Sequence, residues 1–283
     1  MSTIIDGKFV ASQVKAEIAK EVRALNKKGI NICLAVILVG NDPASQVYVK
    51  NKQKACEELG ILSKQFILDE TFGQDNLIAL IDELNNNQEI NGILCQLPLP
   101  AGYDEQLITS SISPLKDVDA FHPSNVGRLV SGDYAVLPCT PAGIIKLLAQ
   151  YNIDIESKEC VVVGRSNIVG KPISLLLLNS HGTVITAHSK TKDLPEVCRR
   201  ADILVVAVGK PNFIKADMIK EGAVVIDVGI NRVDGRLCGD VDFEEVKTKA
   251  SYITPVPGGV GPMTIAMLMY NTVVVTKQQY KIS

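Results

Sequence analysis

The sequence predicts an α/β protein of two domains, the second a doubly wound parallel sheet. Three observations carry this. The chain has 283 residues, about twice the usual length of one domain. Short apolar runs of strand length alternate with segments of helical period. A stretch at 110–137, punctuated by Pro114, Pro123, Gly127 and Gly132, interrupts that alternation, as a functional loop or a domain connection does.

The elements follow in order. Val10, Val14, Ile18, Val22 and Leu25 recur at three or four residues, which predicts a helix over 7–26 with Gly29 as its stop. Residues 32–39 are an unbroken apolar run ended by Gly40 and Pro43, the pattern of a strand buried on both faces. A helix over 45–59, a strand over 61–68, a helix over 74–85 and a strand over 92–97 come next. After the irregular stretch, Thr140 as N-cap and Pro141 in the first turn open a helix to 150. Strands at 160–163, 183–187, 203–208, 223–228 and 252–254 then alternate with helices at 170–179, 194–200 and 216–219, which makes the doubly wound sheet. The segment 263–275 is an apolar helix, too apolar for a solvated face, and is expected to return to the first domain.

Composition narrows the function classes. Hydrophobic residues make up 46% and charged residues 21%, and 29 Lys plus Arg against 31 Asp plus Glu leave a net charge of −2. No overall positive field exists to condense on nucleic acid or anionic lipid. No apolar run approaches the ~20 residues of a membrane span, and no basic-then-apolar leader opens the chain. Seven scattered cysteines, never spaced C-x-x-C, read as reduced thiols of a cytoplasmic protein. The three histidines, 122, 181 and 188, have no partner at ligand spacing, so they read as solvated or capping and no metal site is expected.

After the strand at 160–163 comes Gly164-Arg165-Ser166-Asn167-Ile168-Val169-Gly170, then Lys171-Pro172 and an apolar helix. This strand–turn–helix follows the logic of a Rossmann-like dinucleotide turn, in which glycine allows a tight bend and N–H groups at a helix start receive phosphate. The spacing is G-x-S-x-x-x-G rather than G-x-G-x-x-G. About 20 residues on, where an NAD site usually carries a carboxylate, the chain reads Ala187-His188-Ser189-Lys190. Without that carboxylate, Arg165, Ser189 and Lys190 become partners for a 2′-phosphate, so the expected cofactor is NADP.

In the first domain Tyr48 and Lys52 are four apart, which puts phenol and ammonium on one helix face. Spacing does not separate Lys52 from Lys50 and Lys54. Gln96 lies at the carboxyl end of a buried strand, where open α/β sheets place ligand contacts. Lys116-Asp117-Val118-Asp119 begins the irregular stretch, and 254–264 is a loop whose backbone can press close to a flat ligand.

Taken together and in order, Tyr48-x-x-x-Lys52, Gln96-Leu97-Pro98-Leu99-Pro100, Lys116-Asp117-Val118-Asp119, Gly164-Arg165-Ser166-x-x-Val169-Gly170-x-Pro172 and Pro255-Val256-Pro257-Gly258-Gly259-Val260-Gly261-Pro262-Met263-Thr264 resemble the bifunctional methylenetetrahydrofolate dehydrogenase/cyclohydrolase family. The resemblance spans nearly the whole chain. It implies a folate-binding catalytic domain from 1–139 plus 265–283 and an NADP-binding Rossmann-like domain from 140–264. It also implies NADP-dependent oxidation of 5,10-methylenetetrahydrofolate to the methenyl compound, hydrolysis of that to 10-formyltetrahydrofolate, and a homodimer.

In the same terms Lys52 is the catalytic lysine, Tyr48 lies beside it over the folate, Gln96 hydrogen-bonds near it and Asp119 grips the pteridine. Pro255, Gly258 and Gly259 border folate and nicotinamide, while Gly164, Arg165, Ser166, Ser189 and Ile230 contact the dinucleotide. Hydrolysis needs a base, and an ordinary lysine amine near pKa 10.4 is a poor one at pH 7. A bound methenyl cation disfavours a second positive charge beside it, so the substrate itself is expected to make Lys52 neutral. One departure from the family pattern is Ala120, where glycine is usual. Its methyl is expected to be tolerated unless the backbone there needs a positive φ, in which case Asp119 is re-aimed. The competing readings are a shikimate dehydrogenase-like oxidoreductase, against which the 255–264 loop argues, and a non-catalytic NADP or folate sensor, which would have no need of Lys52.

Overall fold

The computed structural model describes residues 2–282. In chain order the elements are β1 (Thr3–Ile4), α1 (Gly7–Lys27), β2 (Cys33–Val39), α2 (Pro43–Leu59), β3 (Leu62–Leu68), α3 (Gln74–Asn86), β4 (Gly92–Cys95), α4 (Glu105–Ser111), α5 (Pro123–Ser131) and α6 (Cys139–Gln150). There follow β5 (Glu159–Val163), α7 (Gly170–Asn179), β6 (Thr183–Ala187), α8 (Leu194–Arg199), β7 (Ile203–Val206), β8 (Val224–Asp227), β9 (Asn231–Val233), β10 (Arg236–Cys238), α9 (Phe243–Val246), β11 (Tyr252–Ile253) and α10 (Val260–Gln279). No helix among the described residues is long and apolar enough to cross a membrane.

The chain divides into two compact units. One holds Gln13–Cys139 and the chain from Ile265 onward; the other holds the chain through Ser12 together with Thr140–Thr264.

In the unit around Gln13–Cys139, three parallel strands lie in the order β3-β2-β4. Central β2 is buried at all seven positions, as its unbroken apolar run requires. Cys33, Ala35, Ile37 and Val39 share one face with Leu77, Ile81 and Leu84 of α3 and Ile108 of α4. Each large side chain in that layer adds about 1.5–3 kcal/mol by leaving water. The chain from Ile265 belongs to this unit: within α10, Asn271 donates to the carbonyls of Val118 and Leu137, both at 2.8 Å.

The expected irregular stretch is instead partly helical. Pro123 sits in the first turn of α5, His122 caps it by accepting the Ser124 N–H at 3.0 Å, and Gly132 closes it at φ 76°. Two of the residues that suggested a break, Pro123 and Gly132, are the start and stop marks of a nine-residue helix, and Gly127 lies within it. Thr140 is not an N-cap. The helix α6 begins one residue earlier, and the Thr140 hydroxyl pairs with that of Thr264 at 2.9 Å.

The other unit is a six-stranded sheet in the order β1-β11-β8-β7-β5-β6, with every pairing parallel. Between β5 and β7 the winding reverses, so the loops leaving those strands flank a topological switch point. β1 brings residues 2–12 into this unit, whereas the sequence reading grouped 1–139 together. Backbone bonds that flank the β1–β11 pairing help dock it, Thr3 N–H to Ser251 O at 2.7 Å and Ile5 N–H to Ile253 O at 2.9 Å. A two-residue strand has no period to read. The β9–β10 hairpin also went unread, although its turn, Asp234-Gly235 with φ of 49° and 78°, is the chemistry such hairpins favour.

Candidate active site

Helix α2 is well specified locally. Asp42 caps it by accepting the Ser45 N–H at 2.7 Å, Pro43 occupies its first turn and Gly60 ends it in the left-handed region. Its inward face carries Val49, Lys52, Ala55, Cys56 and Leu59. Lys50 and Lys54 are exposed, whereas Lys52 retains 8% of its surface. Three lysines alike in the sequence are thus separated by helical phase. Lys52 Nζ donates to Gln96 Oε1 at 2.8 Å, and Gln96 Nε2 donates to the Leu97 carbonyl at 2.6 Å, which turns the amide oxygen toward the ammonium. Among the described residues no carboxylate forms an ion pair with Lys52. One turn earlier lies half-buried Tyr48, its phenol pushed above the ordinary value by burial.

The 116–120 segment runs beside β4 through a parallel bridge between Ile93 and Asp117. Lys116 and Asp117 are committed to structure. The Lys116 ammonium closes the end of α3 by donating to Leu84 O at 3.0 Å and Asn87 O at 2.7 Å. Asp117 Oδ2 accepts the His122 N–H at 2.8 Å and Asn125 Nδ2 at 2.9 Å. Among the described residues the hydrogen-bond partner of the Asp119 carboxyl is the buried Cys139 thiol, 3.5 Å from its Oδ1. Burial pushes the Asp119 carboxyl up, while the Lys52 charge and that thiol pull it down, so ammonium and carboxylate sense each other in one site. Ala120 adopts φ 57°, the positive value that makes its methyl a strained substitute for glycine.

In the six-stranded sheet the registers Val163↔Ala187, Val163↔Val206 and Val206↔Asp227 align the carboxyl ends of β6, β5, β7 and β8. Gly164, Arg165 and Ser166 follow β5, Ser189 and Lys190 follow β6, Ile230 follows β8, and Pro255, Gly258 and Gly259 follow β11. Gly164 has φ 129°, and a Cβ there would lie 2.2 Å from the Ala207 carbonyl oxygen, so glycine lets the two switch-point loops touch. At Gly170 a Cβ would meet Gly164 O at 2.3 Å, folding the turn onto itself.

The donors of this turn differ from the expectation. Ser166 Oγ accepts the N–H groups of Val169 and Gly170 at 3.2 and 3.3 Å, so those at the helix start are occupied. Among the described residues it is the N–H groups of Arg165 through Ile168 that have no acceptor in the chain. Four successive open donors, exposed Arg165, Ser189 and Lys190, and the absence of a carboxylate just past β6 fit a phosphorylated dinucleotide. In the last loop Gly259 N–H returns to Pro255 O at 2.9 Å and Gly258 O accepts the Lys8 N–H at 3.2 Å.

Two acids that the sequence reading did not single out stand behind this edge. Asp240 takes four hydrogen bonds from the loops after β7 and β8, and Asp227 takes three from 229, 240 and 241. The available signal was glycine: a Cβ at Gly239 would lie 1.8 Å from Asp227 Oδ2, and one at Gly229 would lie 2.3 Å from Asp240 Cγ.

The similarities to known proteins run the length of the chain. A family model described as the tetrahydrofolate dehydrogenase/cyclohydrolase catalytic domain matches residues 5–119, and one described as the NAD(P)-binding domain of the same enzymes matches 138–280. The bifunctional protein FolD of Agathobacter rectalis is 60% identical over 279 residues, covering 98% of this chain and all of that protein. The crystal structure of the bifunctional FolD methylenetetrahydrofolate dehydrogenase/cyclohydrolase from Campylobacter jejuni is similar with a TM-score of 0.97 at 54% identity, covering 99% of this chain and 100% of that one. The Trypanosoma brucei N5,N10-methylenetetrahydrofolate dehydrogenase-cyclohydrolase, solved with NADP and an inhibitor, has a TM-score of 0.95 at 38% identity over 99% of both chains. With both domain models matched in order on one chain, this protein belongs to the tetrahydrofolate dehydrogenase/cyclohydrolase family.

Proposed function

We propose that this protein oxidises 5,10-methylenetetrahydrofolate to 5,10-methenyltetrahydrofolate with NADP, in preference to NAD, and hydrolyses the product to 10-formyltetrahydrofolate. The observation that carries the reading is Lys52, buried on α2 and bonded to the neutral amide of Gln96 rather than to an acid. The unit around Gln13–Cys139 is the folate unit, and the unit of the six-stranded sheet holds the cofactor. When bound, NADP supplies the hydride acceptor.

The chain's own groups divide the work. The open N–H groups at 165–168 receive the pyrophosphate, and Arg165, Ser189 and Lys190 take the 2′-phosphate that NAD lacks. Ile230 contacts the dinucleotide, and Pro255, Gly258 and Gly259 border the nicotinamide. Asp119 accepts from the pteridine's amino and ring N–H groups, and Tyr48 lies over the folate. A methenyl cation next to Lys52 expels the lysine's proton, since two positive charges in one partly buried site repel. The free amine then takes a proton from water as its oxygen adds to the methenyl carbon. As the bond from that carbon to N5 breaks, N5 takes the proton now held by the Lys52 ammonium. The adduct's hydroxyl gives its proton to solvent to become the formyl carbonyl, and the formyl group stays on N10.

Removing the base is expected to slow hydrolysis by at least about 10²–10⁴-fold. Lys52→Met should therefore lose cyclohydrolase activity, followed as decay of methenyl absorbance, and keep the wild-type Kd for NADP. Hydrolysis at the wild-type rate in that variant refutes the role of Lys52. The free cysteines, six of seven buried, suit a reducing cytoplasm, and family analogy supports a homodimer, which sedimentation checks.

A further inference from the structure

We infer that Asp240 is a positioning residue for the dinucleotide site: its carboxylate holds the loops after β7 and β8 in the shape that receives NADP. The inference rests on the cofactor reading above and adds a residue that acts through the loops.

Asp240 is fully buried. Its Oδ2 accepts the N–H groups of Val208 at 2.6 Å and Gly209 at 2.9 Å; its Oδ1 accepts Lys210 N–H at 2.8 Å and Asn231 Nδ2 at 2.9 Å. Four donors engage the two carboxyl oxygens, two on each, and no other side chain of this size accepts so many. Three successive backbone N–H groups would otherwise form an open anion nest. Filling it from within leaves the turn at 165–168 as the open nest on this side of the switch point.

Asp240 is itself held from β8. Asp227 accepts the Asp240 and Val241 N–H groups, both at 2.9 Å, and the Gly229 N–H at 2.9 Å. Gly229 and Asn231, the two neighbours of Ile230, are thereby tied to the acids. Ile230 is 46% exposed, so its place depends on those ties more than on packing. The β7 loop is equally close to the phosphate turn, because Ala207 O is the atom that a Cβ on Gly164 would strike. Moving 208–210 moves the wall of that turn. Two buried acids in contact are a costly way to stabilise a loop, and burial together with the Asp240 charge pushes Asp227 up to about 6. The arrangement makes sense where loop shape matters more than stability.

Asp240→Asn puts an amide NH₂ against two of the four donors in either orientation. The expected result is a Kd for NADP, by titration calorimetry, raised roughly tenfold to a hundredfold. Amide exchange at 208–210 should quicken in the ligand-free protein, while cyclohydrolase activity assayed without NADP stays at the wild-type rate. Asn231→Ala removes one donor and leaves the acid pair; it should weaken NADP binding by up to about tenfold with cyclohydrolase again unchanged. Selective loss of NADP affinity in Asn231→Ala supports the inference whether or not Asp240→Asn folds. Wild-type Kd and wild-type exchange at 208–210 in Asn231→Ala overturn it. A wild-type protein that binds no NADP in the same titration overturns the cofactor reading itself and the inference with it.

Discussion

Replacing Ala120 by glycine probes the backbone that aims Asp119. Ala120 sits at φ 57° with 1% of its surface exposed. A residue with a Cβ gives up about 1–2 kcal/mol in that region, and glycine does not. Glycine has costs of its own, about 0.4–1 kcal/mol from a looser unfolded chain and about 0.8 kcal/mol for a lost buried methyl. The opposing terms are of similar size, so Ala120→Gly should leave the unfolding free energy within about 1 kcal/mol of wild type. A buried alanine at an ordinary negative φ would have only the losses, and the same exchange there would cost about 1.5 kcal/mol. Urea unfolding reads the difference, with the m-value as a check that the unfolded state is unchanged. A loss of about 1.5 kcal/mol or more at constant m refutes the left-handed conformation. With strain relieved and Asp119 still bonded to the Cys139 thiol, the variant's KM for methylenetetrahydrofolate should stay at or below the wild-type value.

Two further outcomes follow from the site. Burial raises Asp117 from 3.8 to about 6, so the folded protein holds this proton more tightly than the unfolded chain. Its contribution to stability is full below about pH 4 and is lost as pH rises through 6, a change on the order of 2–3 kcal/mol. Asp117→Asn, which keeps an oxygen for His122 and Asn125, should flatten that fall in urea unfolding at pH 4.5 and 7.5. His122, lowered by burial, acts in the opposite sense in both proteins and cancels in the comparison. A wild-type slope in the variant would disprove the burial argument. At the cofactor edge, Arg165→Ala removes a charge-assisted bond and should raise KM for NADP about tenfold or more with little change in KM for NAD. Equal effects on both cofactors would show that Arg165 does not meet the 2′-phosphate.

What the sequence alone determined follows local rules. The buried run at 32–39, the capped helix carrying Tyr48 and Lys52, the alternation of strands and helices from 160 onward and the glycine turn at 164–170 were all legible, because period, capping and glycine freedom act within a few residues. Motif order then pointed to the family. The tertiary structure decided what depends on partners distant in the chain. It singled out Lys52 from Lys50 and Lys54, because only helical phase against the sheet distinguishes them. It committed Lys116 to carbonyls at the end of α3 and Asp117 to the start of α5, and among the described residues it left the Asp119 carboxyl with the Cys139 thiol. Thr3–Ile4 became a strand through a partner about 250 residues away, and Asp227 and Asp240, thirteen positions apart, became a pair across the β9–β10 hairpin. Neither leaves a periodic trace, since a strand of two residues and a buried carboxylate gain their meaning only from the N–H groups that the fold brings to them.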